Sequence, residues 1–173
     1  VIENHKELKE MLKDKGHRFD STTDTEIIPH YVEHHVTAGR TPAEALNLFN
    51  EEAEGNYAVV MLDREQEQMY GLKQGSPLVF AFPTTDTEPL PHSKGAYFAS
   101  DLYAISDKCK KAYFMEDGDL IMTSGSNLAL WEDGEVQEGF KNKNWKEFEW
   151  TEEEPVLGDE HSYWMEKEIK EQP

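Results

Sequence analysis

The sequence is poor in cysteine, in basic residues and in long apolar runs. Cys109 is the one cysteine in 173 residues. An internal disulfide is therefore excluded, and a reducing, cytoplasmic setting is expected. Lysine and arginine total 17 against 36 aspartates and glutamates, for a formal net charge of −19. Nucleic acid and anionic membrane surfaces both need a basic footprint, so neither is expected as a partner. No stretch is apolar for long enough to span a bilayer as a helix. The acidity itself has two readings, the hydrated surface of a salt-adapted protein or a solubilising excess of glutamate. The sequence opens on Val1 and stops at Pro173 just after a helical pattern, which reads as a segment of a longer parent.

What is present begins with three helical patterns. Asn4 is placed to cap a helix over 5–15 with Leu8, Met11 and Leu12 on its apolar face, closed by Gly16. Thr23 and Glu26 have capping-box spacing. They predict a second helix with Ile27, Ile28, Tyr31, Val32 and Val36 on one face, ending near Gly39. Asp24 would then sit in its first turn, where backbone N–H groups hold a carboxylate ionised. Pro29 is tolerable only near that start. Thr41-Pro42 opens a third helix that runs to Gly55.

The period then changes. Residues 57–62 form a near-continuous apolar run, which reads as a buried strand. Further strands are expected at 69–72, 77–82, 96–99, 112–115, 119–122 and 128–131. Ser100-Asp101 is placed to cap a short helix through Ile105. Residues 84–95 hold two prolines, Pro89 and Pro91, without periodicity and read as a surface loop. Residues 1–138 read as the domain proper. From 139 to 173 the sequence is acidic and aromatic, with Trp145, Phe148 and Trp150, and reads as a linker into a helix over 162–170. Helices followed by a meander of strands indicate an α+β fold with a mostly antiparallel sheet covered on both faces.

Five motifs occur in order: Val1-Ile2-Glu3-Asn4-His5, Thr23-Asp24-Thr25-Glu26, Gly75-Ser76-Pro77-Leu78, Phe98-Ala99-Ser100-Asp101 and Glu116-Asp117-Gly118-Asp119. With the closing run from Tyr163 to Pro173, they resemble the glutaminase domain of the glutamine–fructose-6-phosphate aminotransferases, which are class II glutamine amidotransferases. The resemblance implies an N-terminal-nucleophile hydrolase fold, a four-layer α/β/β/α sandwich, here without its N-terminal strands. It implies that an N-terminal cysteine attacks the side-chain amide of glutamine, with its own amine as base and an Asn-Gly pair as oxyanion hole. Ammonia would pass to sugar-isomerase domains that convert fructose 6-phosphate to glucosamine 6-phosphate, in a homodimeric parent. The nucleophile, the oxyanion donors and a carboxylate-binding arginine would all lie upstream of Val1, so this segment alone is expected to be inactive. Asp24 is the one position that matches a ligand-binding residue, the acid that receives the substrate α-ammonium. No cofactor is expected. Two other readings stand beside this one: a non-catalytic glutamine-binding or regulatory module of the same fold, and another class II amidotransferase.

The remaining candidates are weaker. Cys109 lies between Lys108 and Lys110, which would lower its pKa, but no histidine is near in sequence and a catalytic role is not expected. His30 and His34 share a helical face with Glu33 and His35 beside them. No third ligand of clear spacing is visible, so no metal site is expected. Gly71 and Gly75 are too sparse for a phosphate cradle.

Overall fold

Amphipathic spacing drives the first third of the chain into three helices. In α1 (His5–Asp14) Leu8 and Leu12 are buried. In α2 (Ile27–Thr37) Ile27, Ile28, Tyr31 and Val32 are buried. In α3 (Pro42–Glu52) the buried residues include Ala45, Leu46 and Phe49. The computed structural model of the chain describes residues 1–85, 88–89, 95–124, 127–132, 135–138 and 145–147.

The caps depart from expectation at two of the three starts. Asn4 does not cap α1 with its side chain. Its Nδ2 donates to the Glu52 carbonyl at 2.8 Å and its Oδ1 accepts from Glu54 N–H at 3.0 Å, tying the start of α1 to the end of α3. The capping box expected at Thr23 and Glu26 does not form. Glu26 instead accepts from the backbone N–H groups of Asp20 and Ser21 at 2.7 and 2.9 Å and from Ser21 Oγ at 2.7 Å. The helix starts at Ile27, and Asp24 lies in the turn before it. Pro29 falls at the third helical residue, where its missing N–H costs no helical bond. The capping box is found at α3, where Thr41 Oγ1 accepts from Glu44 N–H at 3.2 Å and Glu44 Oε2 accepts from Thr41 N–H at 2.7 Å.

The strands follow in a meander. A hairpin of β1 (Tyr57–Asp63) and β2 (Gln68–Gln74) leads to β3 (Val79–Ala81). A small pair, β4 (Thr84–Thr85) and β5 (Glu88–Pro89), lies within the stretch expected to be only a loop. After β6 (Tyr97–Ala99) comes a one-turn 3-10 helix, Leu102–Ala104, capped by Asp101 as expected. Then follow β7 (Lys111–Phe114), β8 (Leu120–Ser124), β9 (Asn127–Glu132), β10 (Glu135–Glu138) and β11 (Trp145–Glu147). One sheet has the order β1-β2-β8-β9-β10 and the other β11-β7-β3-β6. Each pairing of neighbours in them is antiparallel.

Three cores stack the layers. The helices pack on one face of the first sheet through Leu12, Ile27, Tyr31, Leu46, Phe49, Tyr70 and Leu120. The two sheets meet through Phe80, Phe82, Tyr113, Ile121 and Leu130. The outer face of the second sheet, with Val79, Ala81 and Ala112, is covered by Ile105 and Cys109 after the 3-10 helix. This is the α/β/β/α order implied by the resemblance. Among the described residues its fourth layer is the 3-10 helix and the turns that follow it. The sheets approach so closely at Gly71 that a Cβ there would stand 2.1 Å from the Phe98 ring. Gly71 thus serves sheet-to-sheet packing.

Two further expectations change. The 57–62 run is buried on one face only: Tyr57 and Val59 join the helix-side core, while Val60 is 51% and Leu62 72% exposed. As the edge strand of its sheet, β1 lies where the second sheet no longer covers the opposite face. The stretch from 139 contributes β11, which pairs with β7. Trp145 packs against Phe80, Phe82 and Tyr113, so that part of the expected linker belongs to the sheet. Phe148, Trp150 and the helix expected over 162–170 lie outside the described residues. Among the described residues no helix is long and apolar enough to cross a membrane.

Candidate functional site

The turn 21–26 is held by its own polar groups. Ser21 Oγ lies 2.7 Å from Thr23 Oγ1 and also donates to Glu26. This network pulls Glu26 well below the ordinary carboxylate range, to about 2, with the Ser21 hydroxyl as the first cause. The Asp24 and Thr25 carbonyls then accept from Ile27 and Ile28 N–H, which turns the chain into α2. Asp24, half-buried, is left facing the first residues of the chain. Its Oδ2 accepts from Ile2 N–H at 2.8 Å. That bond is the main reason its carboxyl is held below the ordinary value of 3.8, with smaller help from its own N–H and the Val1 amine against a modest cost of burial.

Ile2 is fixed from its other side as well. It bridges to Gly55, Glu3 N–H donates to the Glu54 carbonyl at 2.8 Å, and the Val1 amine donates to the Asn56 carbonyl at 2.6 Å. His5 Nδ1 lies 2.8 Å from the Ile2 carbonyl. The result is a cleft of about 320 Å³ along the free side of β1. Val1, Ile2, Asp24, Ile28, Tyr57 and Val59 are among its lining residues. Its size lies at the lower end of small-molecule sites, and Asp24 is the one carboxylate in an otherwise largely apolar lining. Such a site suits a small ligand with a cationic group at one end.

Of the candidate site residues read from the sequence, Asp24 lines this cleft, whereas Cys109, Gly71 and Gly75 do not. The apolar lining carried no signal in the sequence, because Tyr57 and Val59 are indistinguishable from core. Two motifs prove to be a clamp. Asp117 Oδ1 accepts from Gly75 N–H at 2.9 Å and pairs with Lys73 Nζ, and this lysine is the first cause of its lowered pKa. Asp119 Oδ2 accepts from Tyr113 OH at 2.9 Å and Glu116 N–H at 2.7 Å. Gly75 has φ +71°, and a Cβ there would stand 1.9 Å from Asn56 Oδ1, so glycine is required. The Gly75 and Asp117 motifs thus fix the end of β2 against the turn before β8. Cys109 is 2% exposed, and burial pushes its thiol up to about 11, overriding Lys108. That reverses the lowered value expected from its lysine neighbours and makes the thiol a poor nucleophile. His30, Glu33, His34 and His35 are not part of the cleft.

The comparisons with known proteins agree with this architecture. The family described as "Glutamine amidotransferase domain" matches residues 1–107, more than half of the chain. The chain belongs to this family. Among its relatives, the glutamine–fructose-6-phosphate aminotransferase [isomerizing] of Shewanella oneidensis is 33% identical over 174 residues, covering 100% of this chain and 26% of that protein. The protein of the same name from Methanothermobacter thermautotrophicus is 30% identical over 175 residues, covering 100% of this chain and 27% of its own length. The chain therefore spans about a quarter of these relatives, as the two coverages state. Among solved structures, the glutamine phosphoribosylpyrophosphate amidotransferase of B. subtilis aligns with TM-score 0.50 and 17% identity over 79% of this chain and 26% of that one. At that identity the likeness shows the fold alone, a class II amidotransferase fold of the N-terminal-nucleophile type. It agrees with the α/β/β/α layering.

Proposed function

We propose that this amidotransferase domain is the glutaminase part of a glutamine–fructose-6-phosphate aminotransferase. It would hydrolyse glutamine to glutamate and ammonia, the ammonia serving glucosamine 6-phosphate synthesis from fructose 6-phosphate in further domains, in a cytoplasmic homodimer. The observation that carries this reading is the position of Asp24: an ionised carboxylate at one wall of a small cleft, in a chain related over its whole length to aminotransferases of that name. In this reading Asp24 receives the α-ammonium of glutamine through a charge-assisted hydrogen bond. The Ile2 N–H holds one of its oxygens in place. The attacking thiol, its amine base and the oxyanion donors come from the parent chain N-terminal to this segment. Cys109 cannot stand in for that thiol, being buried and protonated. Residues 1–173 alone are accordingly expected to show no glutaminase activity.

The test is Asp24→Asn in the parent enzyme, assayed with glutamine and with its desamino analogue glutaramate. Asparagine retains an oxygen for the Ile2 N–H, so the turn keeps its anchor. Loss of the charged contact, worth about 1.5–3 kcal/mol, should raise KM for glutamine roughly 10- to 150-fold. The wild type should prefer glutamine over glutaramate by a similar factor, and the variant should not. An unchanged preference would remove Asp24 from the substrate site. Tight glutamine binding by the parent without turnover would instead favour a binding module.

A further inference from the structure

Away from the cleft, the structure brings together a group that the sequence separates. His17 follows Gly16, whose φ of +94° ends the first helix and turns the chain back. This places its ring against α2. His17 Nδ1 lies 3.4 Å from His30 Nδ1, and the Glu33 carboxylate Oε2 lies 3.5 Å from the first and 3.8 Å from the second. The side chains of His17 and His30 are only 13% and 23% exposed, so both imidazoles are positioned by packing. The His17 and His30 rings meet edge-on at 5.3 Å, and Phe19 packs on His30 at 4.4 Å.

We propose that His17, His30 and Glu33 bind a zinc-class divalent cation, which pins the link between α1 and α2. Three observations support this, and none concerns glutamine chemistry. The first is spacing. Two nitrogen donors about 2.1 Å from a tetrahedral ion stand about 3.4 Å apart, and the two Nδ1 atoms have that separation already. The carboxylate has only a few tenths of an ångström to close. Glu33 is free to do so, being 68% exposed. The second is donor chemistry. Two imidazoles and a carboxylate suit zinc and its neighbours and do not suit magnesium or calcium, which prefer oxygen alone. The third is the outer shell. Glu26 Oε1 stands 3.9 Å from Nε2 of His30, on the far side of the ring from the proposed ion. That distance is beyond hydrogen-bond reach, but a carboxylate closing on this nitrogen would orient a ligating histidine and fix its tautomer. Glu26 is itself locked by Ser21 and Asp20. With three protein donors, the fourth position is left to water.

The sequence shows only part of this site, His30 and Glu33, and no metal site is expected from it because the ligands do not share one helix. His30 and Glu33 are three residues apart, but the third ligand lies thirteen residues before His30 and is delivered by a turn.

The test is zinc titration of residues 1–173 after stripping with EDTA, followed by calorimetry and by cobalt substitution. One equivalent of zinc should bind, resist excess magnesium and raise the melting temperature. Cobalt should show the intense visible bands of tetrahedral coordination. His17→Gln, His30→Gln and Glu33→Gln should each weaken zinc binding about tenfold or more, whereas Glu51→Gln, an exposed acid on α3, should not. Melts in EDTA separate loss of metal from loss of fold, since the three variants should then melt close to the wild type. Failure to bind one equivalent, displacement by magnesium, or affinities unmoved in the His17 and His30 variants would overturn the proposal.

Discussion

At the scale of single residues, Asp24 does two things with one carboxylate. It lines the cleft, and it holds Ile2 beside β1. The second role is testable through pH. Its folded pKa lies below the ordinary value of 3.8, chiefly through the Ile2 N–H, so folding favours the ionised form. That contribution to stability is complete above 3.8 and is lost as the pH falls through the lower folded value. Asp24→Asn keeps an acceptor but loses the charge, so at pH 7 it should cost about 1 kcal/mol. In a chain of this size that lowers the melting temperature by about 2–4 °C. The gap between the two proteins should close as the pH falls below 3.8, and melts across pH check it. A gap that persists in acid would mean that shape, not charge, holds Ile2. The same residue shows the limit of reading roles from sequence. Its charge was legible, but its partner was not, because Ile2 reaches it only through the fold.

At the scale of elements, two identical spacings met different fates. Thr23 and Glu26 carry the same signature as Thr41 and Glu44. Only the second pair forms the reciprocal cap. The reason is competition: Ser21 and the N–H groups of Asp20 and Ser21 occupy Glu26 before it can turn back to Thr23. Glu44 instead accepts from Thr41 itself, through both its N–H and its hydroxyl. Thr41→Ala should therefore cost about 1 kcal/mol, while Thr23→Ala should stay within about 0.5 kcal/mol. Equilibrium denaturation of both variants checks the contrast, and equal costs would refute it. The helices and most strands were legible because each buries a periodic face. What was not legible depended on layers: the exposed face of β1, the β11 strand formed by Trp145, and the service of Gly71 to Phe98. Each reflects what lies across a sheet, and no local pattern records that. For the cleft, the acid was legible and the apolar walls were not.

At the scale of the whole molecule, two features oppose each other. The net charge of −19 repels both within the chain and between copies. The uncovered face of β1, with Val60 at 51% and Leu62 at 72% exposure on an edge strand, invites copies to associate. Salt separates the two. Raising ionic strength from 0.01 to 0.15 M shortens the Debye length from about 30 Å to about 8 Å. Ion pairs such as Lys13–Glu10 and Lys108–Asp107 are solvent-exposed, so screening them sacrifices little. Relief of repulsion should dominate, and the melting temperature should rise by about 2–4 °C for each kcal/mol relieved. Over the same range sedimentation should show growing self-association, because the charge that keeps β1 edges apart is being screened. Leu62→Lys should abolish the association and leave the rise in melting temperature intact. A melting temperature that is flat or falls with salt would show that the acids are already accommodated locally. Association that survives Leu62→Lys would place the sticky surface elsewhere than β1.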